Sequence, residues 1–282
     1  MGAQNLVVIT GDQLRHRYFQ NHLNAHFPIS AVFVEECDYP SPVAATDAER
    51  QAWESFFIHR AEYEQHLLSS CGNLSAKNIP EVLRVGQGRL NHPEILEAVR
   101  NFHPSQIIVF GASLLGPGYL SPYTNRVLNL HLGLSQYHRG TSCNFWPVHE
   151  GRPGLLGATI HKVTSGIDTG EIIRQETIQL DENDDEQTLA GKTLILGTQL
   201  EIETLNNPTV RKIVGNITCT KIILNSIITF HWNFLHAVRE FTVYKNCRKF
   251  TCCFNTFYVR LHHHVLMQLC IEKFLCFFDV FK

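Results

Sequence analysis

Three short apolar segments of this 282-residue sequence each end in a glycine, at residues 5–11, 106–111 and 127–133. Segments that are short and apolar throughout are typical of strands buried on both faces of a sheet. Segments with helical apolar spacing lie between them. Strands that alternate with helices predict an α/β fold, with an open, mostly parallel sheet and helices on both faces, because parallel neighbours need a crossover connection.

The rest of the first 205 residues extends this Rossmann-like pattern. Thr46 and Glu49 form a capping box before a long helix, and Asn91, with Glu94 three residues on, is the predicted cap of a helix that ends near residue 102. The Gly-Pro-Gly at residues 116–118 predicts a simple turn. Further strands are predicted at residues 29–37, 82–85, 155–164 and 171–180, and further helices at residues 13–24, 114–120, 143–150 and 184–205.

The composition changes abruptly near residue 205. Residues 1–200 contain 17 of the 18 glycines and 10 of the 11 prolines, whereas residues 201–282 contain six of the nine cysteines. The first part has a net charge of −7 and the second of +5, in agreement with −2 for the whole chain. We predict a catalytic domain at residues 1–205 and an atypical Cys/Phe/His-rich tail at residues 206–282. We interpret the tail as either a read-through product or a divergent appendage.

Charge and hydropathy argue against several classes of function. A net charge near zero gives no electrostatic basis for binding nucleic acid. The N-terminal segment lacks the basic region of a signal peptide, and the longest uncharged run, residues 222–238, is interrupted by Asn and His. We therefore expect a cytoplasmic protein with no membrane-spanning segment. The tail cysteines match no zinc-ligand spacing, and no Gly-x-Gly-x-x-Gly follows the first strand, so neither a metal nor a nicotinamide cofactor is expected.

Two polar residues with catalytic potential lie within the third apolar segment. Asn129 and His131 are two residues apart in a predicted strand, so their side chains leave the same face. Ligands of open parallel sheets bind beyond the carboxyl ends of strands, which Gly11, Gly111 and Gly133 mark here. An amide and an imidazole aimed at one point suit a tetrahedral oxyanion, and a carboxylate such as Asp168 favours the charged imidazole or positions a water. Taken singly, each residue is also typical of a structural role.

The order of these residues resembles the folate-dependent formyltransferase family, which includes glycinamide ribonucleotide, methionyl-tRNA and sugar-amine formyltransferases. The resemblance covers roughly residues 5–205 and rests on three motifs: Asn129-Leu130-His131, Arg139-Gly140 and Ile167-Asp168-Thr169-Gly170. One segment departs from the family. Where the family's loop usually reads Ser-Leu-Leu-Pro, this chain has Gly133-Leu134-Ser135-Gln136.

The resemblance implies roles for individual residues. Asn129, His131 and Asp168 would be catalytic, and the co-substrate would be 10-formyltetrahydrofolate. The residues that the resemblance places around the folate are Leu114, Arg139, Gly140, His161 and Gly166. Two of them have a second interpretation, since Arg139 is equally suited to bracing its loop and His161 to a core or surface position.

The expected activity is transfer of a formyl group to the primary amine of a small molecule. A nucleotide-linked amino sugar is the leading acceptor, because no glycine-rich phosphate loop follows the first strand. Arg15 and Arg17 either reach an anionic acceptor or form a solvated helix face. Cys143 has no adjacent His or Lys and is expected to be structural.

Two alternative functions stay open at this point. Water in place of the amine would make the protein a formyltetrahydrofolate hydrolase with the same core. A non-catalytic binding protein that keeps the fold is the second, motivated by the altered loop and the tail. The oligomeric state is open as well.

Overall fold

The computed structural model describes residues 5–37, 44–70, 80–207 and 212–213, which form an eight-stranded sheet with helices. The strands are β1 (Leu6–Thr10), β2 (Ile29–Glu35), β3 (Glu81–Val85), β4 (Gln106–Phe110), β5 (Val127–His131), β6 (Gly157–Lys162), β7 (Ile172–Thr177) and β8 (Lys212–Ile213). The helices are α1 (Leu14–His26), α2 (Asp47–Ser70), α3 (Pro93–Asn101), α4 (Pro117–Leu120), α5 (Trp146–His149) and α6 (Glu186–Asn206), with a 3₁₀ turn at Pro153–Leu155.

The sheet is open and mostly parallel, as the sequence predicts. Its strand order is β3-β2-β1-β4-β5-β6-β7-β8. Of these strands only β6 runs antiparallel to its neighbours. The connection that leaves β1 passes to β2 on one side, and the chain later returns to β4 on the other side of β1. The sheet therefore has a topological switch point between β1 and β4, where ligands of such folds commonly bind.

Helices cover both faces of the sheet. Along β1, Val8 packs in an apolar cluster with residues of α1, α2 and α6, while Val7 and Ile9 pack in a second cluster with residues of α3 and α4. This alternation follows from the period of two in a strand. Burial on both faces explains why the central strands are apolar at nearly every position.

The reversal at β6 positions the polar residues of β5. Across the antiparallel pair, Asn129 lies opposite His161 and His131 lies opposite Thr159. Directly opposed residues project to the same face of a sheet, so the two histidines and the amide share one face. The connection from β6 to β7 then carries Asp168 toward that face.

Two local predictions are wrong, and the helices predicted at 114–120 and 143–150 are shorter than expected. Asn91 does not cap α3, whose N-cap is His92. The Asn91 amide instead donates to the Leu114 carbonyl at 2.8 Å and accepts from the Gly116 N–H at 2.7 Å, which ties the loop after β4 to the start of α3. Residues 116–118 are not a simple turn, because Pro117 begins α4, where its missing N–H costs nothing. The helix predicted at 143–150 is confined to the four residues of α5.

Gly11 and Gly111 make room for a side chain rather than for a ligand. The His16 imidazole lies between them, so that a Cβ on Gly11 would fall 2.6 Å from its Cε1 and one on Gly111 would overlap its Nε2. His16 is 1% exposed, and its Nδ1 accepts a hydrogen bond from the Gln13 N–H at 3.0 Å. The switch point between β1 and β4 is therefore filled by protein.

Most of the predicted tail lies outside the described residues, including all of its cysteines and the histidines at 262–264. Beyond Asn207 the structure describes only β8, which pairs with β7. The boundary after residue 205 and the interpretation of the tail therefore stay predictions. Within the ranges described above, no helix is both long enough and apolar enough to cross a membrane.

Candidate active site

The Asp168 carboxylate is the centre of a buried polar cluster at the end of β5. Its Oδ1 lies 3.4 Å from Asn129 Nδ2 and 3.2 Å from His161 Nε2. Its Oδ2 lies 3.3 Å from His131 Nδ1 and accepts a hydrogen bond from the Gly140 N–H at 2.7 Å. The structure thus brings together the three residues that the sequence predicts to be catalytic.

The connection between β6 and β7 forms a tight turn that holds the Asp168 carboxylate at the cluster. Asp168 has a φ of +48°, in the left-handed region that Asp adopts more readily than most residues. Two residues on, a Cβ at Gly170 would collide with the Lys162 carbonyl. The hydroxyls of Thr164 and Thr169 hydrogen-bond across the turn at 2.9 Å. The Asp-Thr-Gly motif is therefore a geometric requirement of the turn as well as a source of the carboxylate.

Both ring nitrogens of His131 face hydrogen-bond acceptors. Its Nδ1 faces Asp168, and its Nε2 lies 3.0 Å from the backbone carbonyl of His138. A neutral imidazole carries a single N–H, so only the imidazolium satisfies both partners. Burial is the largest influence and lowers the pKa of His131 below its usual 6.5, although the Asp168 charge and the His138 carbonyl act in the opposite direction. The protonation of His131 therefore depends on what its two nitrogens face.

The Asp168 carboxyl remains ionised. Burial raises its pKa, but the hydrogen bond from His161, the charge of protonated His131 and the Gly140 N–H outweigh burial and hold the pKa below the usual 3.8. Because the pKa of His131 is itself lowered, the Gly140 N–H is the contact to Asp168 that does not depend on the protonation of an imidazole. A fixed carboxylate of this kind can position a water or an incoming amine.

His161 belongs to the cluster and supports Asn129. It is 3% exposed, and its Nδ1 donates to the Lys162 carbonyl at 2.8 Å, since a carbonyl can only accept. Its Nε2 lies 3.1 Å from Asn129 Nδ2 and also faces Asp168. The two observed partners of Nε2 are therefore catalytic candidates.

The other residues predicted to hold the folate lie in loops around the cluster. Gly140, with a φ of +81°, turns its loop so that its N–H reaches Asp168. The Nε of Arg139 donates to the Ser135 carbonyl at 2.8 Å. This contact braces the loop, which is one of the two roles that the sequence allowed for Arg139. Leu114 lies in the loop after β4 with its side chain 62% exposed. Gly166 lies two residues before Asp168, where a Cβ would collide with the Thr169 side chain.

The segment that departs from the family's Ser-Leu-Leu-Pro is anchored to the sheet by side chains. The Gly133 carbonyl accepts from Thr159 Oγ1 at 2.6 Å, and the amides of Gln136 and Gln175 hydrogen-bond at 2.6 Å. These contacts fix the start of the loop. Further along the loop, the His138 carbonyl lies 3.0 Å from His131 Nε2.

Cys143 lies beneath this loop. Its buried Sγ faces the carbonyls of Gly140 and Thr141 at 3.6 and 3.7 Å, and its Cβ is packed against Gly133. Burial and the charge of Asp168 raise the pKa of the thiol to about 12. The thiol therefore stays protonated, as expected of a packing residue rather than a nucleophile.

A cavity of about 220 Å³ opens beside β5. Val127 lies in its wall, two residues before Asn129 on the same face of the strand, and Thr164 in its wall begins the connection that carries Asp168. Apolar walls with a few polar groups fit a planar ring that bears hydrogen-bonding atoms. The lining residues are Leu120, Tyr123, Thr124, Asn125, Val127, Lys162, Val163, Thr164 and Glu171.

Sequence reasoning missed His138 and the exposed aromatic residues of the loop after β5. The backbone carbonyl of His138 lies 3.0 Å from His131 Nε2, and the His138 side-chain Nε2 lies 3.2 Å from Glu150 Oε2. Tyr137 and Phe145 lie on either side of the Arg-Gly motif with exposed rings. The contact of His138 is made by its backbone carbonyl, and a backbone contact cannot be predicted from residue types. The aromatic pair at residues 145–146 was the one feature of the sequence that could have pointed to this loop.

Comparisons with known proteins agree with this geometry. A family model described as "Formyl transferase" matches residues 11–205. The methionyl-tRNA formyltransferase of Caldicellulosiruptor saccharolyticus is 34% identical over 115 residues, which are 40% of this chain and 37% of that protein. The chain thus matches little more than a third of the length of this relative.

Two solved structures show the same fold. The phosphoribosylglycinamide formyltransferase of Anaplasma phagocytophilum superposes with a TM-score of 0.51 at 15% identity, over 72% of this chain and 85% of that one. That of Brucella melitensis superposes with a TM-score of 0.50 at 22% identity, over 76% of this chain and all (100%) of that one. The family match covers well over half of the sequence and includes every member of the polar cluster, so this chain belongs to the formyl transferase family.

Proposed function

We propose that this chain transfers a formyl group from 10-formyltetrahydrofolate, the donor used by its family, to the primary amine of a small molecule. The acceptor we favour is a nucleotide-linked amino sugar. The observation that carries the proposal is the convergence of Asn129 and His131 on the Asp168 carboxylate, with separations of 3.4 and 3.3 Å. Family membership supports the reaction class, and the acceptor rests on arguments from this chain alone.

The reaction requires stabilisation of one oxygen and movement of one proton. The amine nitrogen attacks the formyl carbon, a C–N bond forms, and the formyl oxygen becomes an oxyanion. Asn129 Nδ2 and His131 Nε2 are the N–H donors that stabilise this oxygen. The bond from the carbon to the folate nitrogen then breaks. The amine proton passes to that nitrogen through a water held by Asp168.

His131 acts only after an exchange of partners. Its Nε2 lies 3.0 Å from the His138 carbonyl. We infer that the formyl oxygen replaces this carbonyl when the donor binds. An oxyanion is a stronger acceptor than a carbonyl and favours the charged imidazole, so its formation raises the pKa that burial lowers. The loop that carries His138 therefore shifts when the formyl group binds.

The cavity beside β5 is the natural place for the pterin ring of the donor. Along β5 it lies on the Val127 side of Asn129, so a ring bound there extends toward the polar cluster. Tyr123 and Val163 supply apolar walls, and Asn125 and Glu171 supply polar groups at the rim. This placement leaves the opposite side of the cluster for the amine.

The test is a transfer assay with the full chain, 10-formyltetrahydrofolate and a panel of nucleotide-linked amino sugars, read by the mass gain of the acceptor. Removing one oxyanion donor typically lowers the rate about 100- to 1,000-fold, and we expect a loss of that size for Asn129→Ala. Gln199→Ala removes an exposed amide on α6 and is the matched control, expected to leave the rate unchanged.

Two results would contradict the proposal. Release of formate at the same rate with and without any amine would identify a hydrolase. No consumption of the donor by folded protein, with any acceptor in the panel, would favour a non-catalytic protein that keeps the fold.

A further inference from the structure

Exposed aromatic side chains lie in the loop and the short helix that follow β5, on both sides of the Arg-Gly motif. Tyr137 is 51% exposed and Phe145 is 45% exposed, although large apolar side chains are normally buried. The Phe145 ring stacks on His149 with ring centroids 5.3 Å apart and an angle of 15° between the planes. The Arg152 guanidinium lies over the Tyr137 ring, 5.8 Å from its centroid. We call Tyr137, Phe145, His149 and Arg152 the aromatic face.

The aromatic face is one connected structure built on the active-site loop. Tyr137 precedes His138, whose side chain pairs with Glu150 at 3.2 Å. Glu150 lies 3.9 Å from Arg152, and Arg152 returns to the Tyr137 ring. The Phe145 N–H donates to the carbonyl of Ser142, two residues after the end of the Arg-Gly motif, at 2.8 Å. The face is therefore coupled to the same loop that contacts His131 and Asp168.

The aromatic face lies on the acceptor side of the polar cluster. Along β5 the order is Val127 in the cavity wall, Asn129 and His131 in the cluster, and then the loop that carries Tyr137. At about 3.3 Å per residue, the strand separates cavity and loop by more than 10 Å. The amine must approach the formyl carbon from the side opposite the donor. A ligand bound on the aromatic face would therefore lie on the side of the cluster that we assign to the amine.

At the switch point of the sheet, His16 and Arg15 are both engaged within the fold. His16 fills the space between Gly11 and Gly111, and the Arg15 guanidinium is paired with Glu64 of α2 at 2.9 Å. Arg15 is therefore engaged within the fold, and its role toward an anionic acceptor stays a prediction. Arg152 is 55% exposed at its side chain and lies at the edge of the aromatic face, with its nearest carboxylate, Glu150, 3.9 Å away. Guanidinium groups are well suited to phosphate, and exposed aromatic rings to a stacked base.

We propose that the aromatic face binds the nucleoside diphosphate part of the acceptor, with the base stacked on Tyr137 or Phe145 and a phosphate on Arg152. This inference rests on the proposed function and adds to it the residues that select the acceptor. The bound nucleotide places its amino sugar over Asn129 and His131.

The test measures affinity for nucleotides and for the donor separately. The full chain is titrated calorimetrically with UDP, dTDP, GDP, CDP and ADP, with inorganic pyrophosphate, and with a non-reacting formyl-folate analogue. The tightest nucleotide is then titrated into Tyr137→Ala, Phe145→Ala and Arg152→Gln. Loss of a base stack typically weakens binding about tenfold or more, and we expect that loss for at least one ring variant. All three variants keep the affinity for the folate analogue.

The matched control is Phe57→Ala, which removes a ring on α2 of similar exposure, 42%, away from the cluster. Its nucleotide affinity should equal that of the unchanged protein, and thermal unfolding should show all variants folded. Folate binding without any nucleotide binding, or nucleotide binding that no ring variant weakens, would each overturn this inference. Absence of folate binding would instead overturn the proposed function.

Discussion

Asp168 organises the site because one carboxylate orients an amide, two imidazoles and a backbone N–H. Four groups converge on its two oxygens at 2.7 to 3.4 Å. Each partner other than Gly140 comes from β5 or β6, so the rigid part of the sheet sets the geometry and the turn supplies the charge. Buried polar groups are costly unless they are satisfied, which makes this cluster sensitive to single changes.

Asp168→Asn separates the charge of this residue from its backbone conformation. Asn tolerates the left-handed φ of +48° about as well as Asp, so the turn should persist. We expect kcat to fall about 100-fold or more, because positioned carboxylates contribute roughly that much. Asp181→Asn, which changes an exposed turn carboxylate, should leave kcat unchanged. Full activity of Asp168→Asn would remove the carboxylate from the mechanism.

His16 should make the fold less stable in acid. Burial, followed by the charges of Arg15 and Arg60, lowers its pKa well below 6.5 in the folded state. Near pH 6.5 the His16 side chain therefore binds a proton in the unfolded chain but stays neutral in the folded chain. Stability is lost as pH falls below about 6.5, at roughly 1.4 kcal/mol per pH unit for each such group. The lowered pKa of His131 acts in the same direction.

Denaturant unfolding at pH 7.5, 6.0 and 5.0 measures this effect. His16→Gln should flatten the dependence between pH 6.5 and 5.0 relative to the unchanged chain, whatever its effect at pH 7.5. His92→Gln, at an exposed position, is the control. An unchanged slope in His16→Gln would show that this imidazole is not the source.

The turn between β6 and β7 is the element on which the site depends most. Gly170→Ala would place a Cβ against the Lys162 carbonyl, so the turn must open and carry Asp168 away from the cluster. We expect both a lower unfolding temperature and a loss of activity larger than the loss of stability explains. Gly154→Ala is the control, since a Cβ there meets no atom within 4 Å. Normal activity of Gly170→Ala would show that the turn is adaptable.

The sequence predicts the central elements well because their physics is local. Asn129 and His131 share a face by the period of a strand alone, and the apolar runs of β1, β4 and β5 follow from burial on both sides. Asp168 meets them only because β6 reverses the chain and its turn adopts a left-handed residue, neither of which a local pattern encodes. The His138 carbonyl and the filling of the switch point by His16 arise from tertiary packing, which leaves no periodic trace.

At the scale of the whole molecule, the buried face of α6 contains a carboxyl group, that of Glu201, which lowers the stability of the fold. Glu201 is fully buried, and within the described part of the chain neither of its carboxylate oxygens has a hydrogen-bond partner. Burial raises its pKa to about 8. The folded chain therefore holds a proton that the unfolded chain releases near pH 4.5, so stability falls as pH rises from about 4.5 to about 8.

Glu201→Gln tests this pH-dependent loss of stability, because glutamine has nearly the same shape as glutamate but cannot ionise. The variant should unfold at a higher denaturant concentration than the unchanged chain at pH 8 and at a similar one at pH 5. Glu182→Gln, at an exposed position before α6, should show no such difference. Equal stability of Glu201→Gln and the unchanged chain at pH 8 would mean that the carboxylate finds a partner in solution.

The central claim is that this fold binds a formyl-folate and presents its formyl group to Asn129, His131 and Asp168. The most direct measurement is calorimetric titration of a non-reacting formyl-folate analogue into the full chain and into His131→Ala. The account predicts saturable binding at a single site, with weaker binding to His131→Ala because the formyl oxygen loses a donor. No binding to the folded, unchanged chain would contradict it.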